Sequence, residues 1–260
     1  MDSDGSPWKH DFLDSQSRLP AGNGWKIVSM KRFTILLAVS SCISTYAYAE
    51  KIYDDYDAFY ADQPGAIFKT PLKQDRRNVY SNFGENGIYA EIRATINGRP
   101  ARIQVASGHI SINKKTYRFA QAITFPNEHT GDIYPGTAEV FIAKSPDNRS
   151  PLLCLEGHGS GSGEANRRQQ IFVLMNPFGR QPVFLHLPGL LSSCRAVLTT
   201  HNGQVVFPQN SYVWNATQDA RTGLQISYFA FERGRFKPTS KKINLRFVTP
   251  ENPFNFYRQE

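Results

Sequence analysis

The chain has 260 residues, 40% of them apolar and 20% charged, with only 16 prolines, which describes a globular protein and excludes a collagen-like, coiled-coil or wholly disordered chain. Aromatics at 13% against three methionines, with recurrent Asn-Gly and Gly-X punctuation, lean the composition toward β-structure. The formal net charge is +8.

Residues 1–29 carry scattered Asp, Gly, Pro and Trp without period and are read as an extension upstream of a start at Met30. From there Met-Lys-Arg leads into an uncharged run, Phe33 to Ala49, that closes in Ala47-Tyr48-Ala49. A basic start, an apolar centre and small residues at Ala47 and Ala49 predict a signal peptide over 30–49, cleaved before Glu50. Its 17 uncharged residues, diluted by five serines and threonines, fall short of the ~20 apolar residues that a membrane span needs. Val39-Ser40-Ser41-Cys42 offers the alternative of a lipobox with Cys42 acylated. Either way the expected location is periplasmic or secreted, with no transmembrane span in the mature chain.

Charge is polarised after the signal. Residues 50–62 hold five acids against Lys51, a net of −4, whereas 63–260 hold 24 Lys and Arg against 13 Asp and Glu, a net of +11. Residues 50–66 are therefore expected to be an acidic arm, solvated or laid on a basic face, ahead of one β-rich domain over 67–260. Within the arm, Ile52 to Ala61 has room for a short helix.

The clearest local signal surrounds Asn97-Gly98. Ile88, Ala90, Ile92, Ala94 and Ile96 alternate with polar residues on the way in, and Ala101, Ile103 and Val105 on the way out, which predicts a hairpin with a type I′ turn. Further strands are expected at Tyr117 to Phe125, Ala138 to Ala143, Leu152 to Glu156, Gln170 to Met175 and Val183 to Leu187. A second hairpin is expected about Asn202-Gly203, between Arg195 to Thr199 and Gln204 to Phe207. Leu224 to Phe231 and Ile243 to Val248 complete the set. Short, evenly spaced strands without intervening helical periods predict an all-β domain, a predominantly antiparallel β-sandwich or barrel-like fold, with a propeller-like arrangement as the remaining alternative.

Once Cys42 is assigned to the signal, Cys154 and Cys194 remain. Two cysteines in an oxidising compartment predict one disulfide, and closing a loop of about 40 residues stabilises by roughly 4 kcal/mol in the chain-entropy model.

No stretch carries an intact catalytic motif. In Gly157-His158-Gly159-Ser160-Gly161-Ser162-Gly163, neither Ser160 nor Ser162 has glycine both two before and two after, as a nucleophile elbow requires. No Lys-Ser or Lys-Thr follows to make it a phosphate loop. It is read as a hairpin loop whose His158, Ser160, Ser162, Arg167 and Arg168 are available to a ligand. Ser111-Ile112-Asn113-Lys114 matches the Ser-x-x-Lys spacing of penicillin-binding proteins, but its surroundings read as strand and no Lys-Thr-Gly follows. The histidines are dispersed without metal-ligand spacing, so no metal or cofactor is expected. The sequons at Asn148 and Asn215 are read as turn residues.

Arg233, Arg235, Lys237, Lys241, Lys242 and Arg246 form the densest basic run, with no acid from 233 to 246 and with Phe229, Phe231 and Phe236 interleaved at its start. Nucleic acid, the cytosolic partner for such a pattern, is set aside by export. Acidic proteins, anionic polysaccharide and lipid head groups remain. A lysine-rich edge hairpin protected against strand-to-strand aggregation explains the run equally well. Ser107-Gly108 resembles the Ser-Gly loops of lysozyme inhibitors but lacks the aromatic that follows there, and a basic inhibitor would repel a basic enzyme.

The expected function is a non-enzymatic binding protein of the bacterial envelope, an inhibitor or immunity protein against a secreted toxin or hydrolase, with interfaces at Gly157 to Arg168 and Arg233 to Arg246. The alternatives are an anionic glycan or lipid-surface binding module, and an envelope hydrolase built from dispersed loop residues.

Overall fold

The computed structural model describes residues 51–74, 76–78, 89–144, 150–159 and 163–259. The expected signal peptide and its upstream extension, Cys42, Ser160, Ser162 and the Asn148 sequon lie outside the described residues. In chain order the elements are β1 (Ile52–Tyr53), α1 (Tyr56–Ala61), β2 (Arg76–Asn78), β3 (Tyr89–Ile96), β4 (Arg99–Ala106), β5 (His109–Ile112), β6 (Lys115–Arg118), β7 (Ile123–Thr124) and β8 (Glu139–Lys144). They continue with β9 (Pro151–Gly157), β10 (Gln170–Met175), β11 (Val183–Leu187), β12 (Leu198–Thr199), β13 (Val205–Trp214), β14 (Arg221–Glu232), β15 (Arg235–Phe247) and β16 (Phe256–Gln259).

Tight turns set the register. Asn97 and Gly98 have φ of 51° and 74°, the two left-handed residues that a type I′ turn demands, and Ile96 pairs with Arg99. Ala90, Ile92 and Ile96 then share one buried face with Ala101, Ile103 and Val105, as the alternation predicted. Two further pairs of left-handed residues, Asn113-Lys114 and Arg233-Gly234, make the β5–β6 and β14–β15 turns. The Ser-x-x-Lys match is thus a hairpin: Ser111 faces Thr116, hydroxyl to hydroxyl, at 2.9 Å. Asn215 is a turn residue as read, its amide bonded to Asp219 and its Oδ1 accepting the Asp219 and Ala220 N–H groups.

The fold is an all-β sandwich of three sheets, in the orders β2-β3-β4-β5-β6, β7-β11-β10-β9-β8 and β1-β16-β15-β14-β13-β12. Among the described residues pairing is antiparallel except between β7 and β11, each sheet is built on a run of consecutive strands, and no barrel closes. The second sheet is the centre. Leu153, Leu155, Phe172 and Leu174 join the core shared with the β2–β6 sheet, whereas Leu152, Cys154, Ile171 and Val173 join the core shared with Phe207, Phe231 and Phe236 of the third. Every residue of β9 is consequently buried. A strand covered on both faces has no polar side to alternate, so it appears in sequence as a continuous apolar run. The Cys154–Cys194 disulfide joins β9 to the 3-10 turn Cys194–Ala196 that leads into β12 of the third sheet.

Four expectations change. The acidic segment 50–66 is built into the body over its described length: β1 pairs with β16, and Tyr56, Phe59 and Tyr60 of α1 are core residues packed on Phe256. Its charge does meet the basic body, where Asp57 accepts from Arg195 at 2.6 Å. Tyr117 to Phe125 is interrupted, because a 3-10 turn at Phe119–Gln121 separates β6 from β7 and carries the chain from one sheet to the next. Of Arg195 to Thr199 only Leu198–Thr199 is strand, and the second hairpin closes through a longer Thr200–Gln204 turn. Arg233 to Arg246 is a turn followed by one long strand instead of a hairpin.

Candidate functional site

β15 owes its shape to a break in the ladder. Ser227 pairs with Lys242 and Phe229 with Pro238, so Tyr228 alone opposes the three residues Thr239 to Lys241. Such a bulge bends the strand and re-aims side chains. The Thr239 hydroxyl fills the gap, donating to the Tyr228 carbonyl at 2.8 Å and accepting the Lys241 N–H at 3.2 Å. Lys241 is turned over the Tyr228 ring, 5.2 Å from its centroid.

There Lys241 meets the β12–β13 turn. Pro64, Gly65, His201, Asn202, Ser240 and Lys241 lie along a cleft of about 680 Å³ whose lining contains no Asp or Glu. The Thr200 hydroxyl is committed to the turn, accepting the Gln204 N–H and donating to Asn202 Oδ1. The His201 ring, the Ser240 hydroxyl, the Asn202 amide nitrogen and the Lys241 ammonium make no hydrogen bond to the described residues. Burial, with Arg258 nearby, holds the Lys241 ammonium below the ordinary lysine range.

The basic run continues from this cleft along an open edge. β16 covers only Asn244 to Phe247, so Arg235 to Ile243 has no strand on its outer side among the described residues. Lys237 pairs with Glu232 at 3.3 Å; Arg233, Arg235, Lys241 and Lys242 meet no carboxylate within ion-pair distance among the described residues. Phe236, expected to face a ligand, instead turns inward, with its ring 5.2 Å from Phe231 and 4.9 Å from Phe125. The two-residue alternation of the strand forces this: exposing Arg235 and Lys237 places Phe236 on the core face.

The other expected interface is more tied down than a protruding loop. The His158 N–H donates to Thr137 Oγ1 at 2.9 Å and its carbonyl accepts from Tyr134 at 2.7 Å. Arg167 pairs with Glu164 at 2.8 Å and donates to the Tyr212 hydroxyl at 3.2 Å. Arg168 is exposed and pairs with Glu128 at 3.7 Å. The two interfaces are not brought together. Tyr212 opposes Leu224 at one end of β14 and Arg235 opposes Glu232 at the other, a separation of about 26 Å at ~3.3 Å per residue.

His186 sits inside the central sheet, 1% exposed, on the Phe172 ring at 4.8 Å. Among the described residues no group of three or more His, Cys, Asp and Glu is arranged to hold a metal ion, and no helix is long and apolar enough to cross a membrane. His201, Asn202 and Ser240 were not singled out from sequence. Asn202 was legible as a turn residue and Lys241 as part of a basic run, but nothing local records that the turn and the bulge face each other. Comparison of this chain with family models, with curated proteins and with solved structures finds no match in any of the three.

Proposed function

We propose that the chain is an exported, non-enzymatic binding protein of the bacterial envelope that takes an acidic protein partner at the Lys241 cleft and along the adjoining edge of β15. The observation that carries this reading is a cation without a counter-charge. Lys241 is half-buried in a cleft lined by no acid, beside three further cations with no partner among the described residues. A carboxylate entering the cleft restores the Coulombic partner that partial burial has made valuable, and the exposed Arg233, Arg235 and Lys242 steer its approach. The edge is long enough for a folded partner, since Arg235 and Lys242 oppose Glu232 and Ser227, five residues apart on β14 and about 17 Å at ~3.3 Å per residue. This supports the inhibitor or immunity-protein reading. The hydrogen-bonding groups of His201, Asn202 and Ser240 beside Lys241 favour a second reading, an anionic polysaccharide whose carboxylates or sulfates enter the same cleft.

The test is capture from a bacterial envelope extract by the wild-type chain and by the Arg235→Glu/Lys241→Glu double variant, at low and at high ionic strength. An acidic protein held by the wild type, weakened about tenfold or more by salt and lost from the variant, is the expected result. Retention of anionic polysaccharide without protein supports the second reading. Capture indifferent to both salt and the double substitution overturns both.

A further inference from the structure

A second concavity lies at the other end of the β13–β15 ribbon, and its chemistry differs from the basic cleft. It holds about 180 Å³ between the segment before α1, the 3-10 turn Gly163–Arg167, and the chain at Leu191–Ser192. That volume is roughly six waters at ~30 Å³ each. Around its mouth stand Asp54, Asn166, Arg167, Gln169 and Phe254, with Ser192 beneath.

We infer that this cavity binds a single neutral sugar ring, stacked on Phe254 and hydrogen-bonded to Asp54, Asn166, Gln169 and Ser192. Phe254 is 49% exposed, has the Arg167 guanidinium 6.0 Å from its ring centroid on one side, and is presented on a loop pinned by the Tyr56 hydroxyl, which donates to the Pro253 carbonyl at 2.8 Å. An exposed aromatic ring offers a flat apolar surface that matches the C–H face of a pyranose, while planar amide and carboxylate groups around it match the equatorial hydroxyls. Ser192 supplies an independent sign of a ligand: it lines the cavity at 5% exposure, and its buried Oγ has no hydrogen-bond partner among the described residues. A buried hydroxyl without a partner is destabilising, and a sugar hydroxyl bonded to it removes that cost.

The floor is held in an unusual backbone. Leu191 has φ of 46°, a region that bulky residues rarely occupy. Its N–H donates to the Arg167 carbonyl at 2.7 Å, and its own carbonyl accepts from Asn210 Nδ2 at 2.9 Å and from the Tyr60 hydroxyl at 3.3 Å. These bonds over-determine the turn that places Ser192 at the cavity.

Charge disfavours an anionic ligand. The Asp55 carboxylate caps α1, accepting from the Asp57 and Ala58 N–H groups at 3.0 and 3.2 Å, and Asp57 is paired with Arg195. Arg167 is paired with Glu164. An anion would meet three carboxylates, whereas a hydroxyl of a neutral ring finds the Asp54 carboxylate uncommitted and able to accept from it among the described residues.

The test is ligand-observed saturation-transfer NMR on the full chain with glucose, galactose, mannose and N-acetylglucosamine. At least one sugar is expected to take up saturation, and the signal is expected to fall about fivefold or more in Phe254→Ala and in Asn166→Ala. Asn166 is exposed, so its truncation keeps the test valid if Phe254→Ala melts early. Absence of transfer to all four sugars, or a signal that persists in either folded variant, overturns the inference.

Discussion

Glu156 interrupts an otherwise apolar strand and is 4% exposed. Burial pushes its carboxyl from the ordinary 4.5 up to about 8, against the opposing pull of the Cys194 N–H and of Arg195 at 3.7 Å. The native state therefore holds a proton that the unfolded chain releases, so this residue's contribution is complete below pH 4.5 and is lost as pH rises to about 8. His186 slopes the other way. Burial pushes it from 6.5 down to about 4, so its contribution is complete above pH 6.5 and is lost as pH falls to about 4. The two slopes offset one another between 4.5 and 6.5, which leaves a net alkaline loss up to about 8. Glu156→Gln keeps an acceptor for Cys194 and removes the titration; chemical denaturation across pH is expected to show a flattened alkaline slope and a gain of about 1–3 kcal/mol at pH 8. An unchanged slope contradicts the assignment. At this scale the cysteine pairing was legible from sequence, because with Cys42 assigned to the expected signal only two cysteines remain. The state of Glu156 was not, since it depends on what covers β9 from both sides.

Edge exposure belongs to elements, and β15 carries the devices that blunt it. Pro238 has no N–H to offer, and Lys237 and Lys242 project from a segment that β16 leaves uncovered. Replacing these three by Val is expected to leave the fold intact and to raise the rate of aggregation, measured by light scattering at elevated protein concentration; a triple variant that stays as monodisperse as the wild type would show that the edge needs no protection. Lys242 serves both this device and the proposed steering of a partner, whereas Lys241, which lines the cleft, is outside the device. Element legibility followed locality. Asn97-Gly98 was readable since both residue types tolerate positive φ, whereas Asn113-Lys114 and Arg233-Gly234 place a long cationic side chain in a left-handed position that residue type does not advertise. The 3-10 turn at Phe119 escaped notice because the apolar spacing around it satisfies a strand as well as a crossing between two sheets.

In the whole molecule, the disulfide bridges a gap of 40 residues and joins the central sheet to the approach to the six-stranded one. Reduction, or Cys154→Ala with Cys194→Ala, is expected to cost about 2–5 kcal/mol and to lower the melting temperature by roughly 10 °C in calorimetry. A shift below about 2 °C would mean that the loop is already closed by packing in the unfolded ensemble. The Asn97-Gly98 turn, most strands, the all-β class, the cysteine pair and the polarised charge were determined by the sequence alone, since each rests on preferences within a few residues or on counting. Only the tertiary structure decided that the acidic segment enters a sheet and a core, that Phe236 faces inward, and that a lysine at a bulge shares a cleft with a turn some 40 positions earlier in the chain. Those outcomes depend on which sheet covers which face, and coverage is fixed by pairings between distant strands that no local pattern encodes.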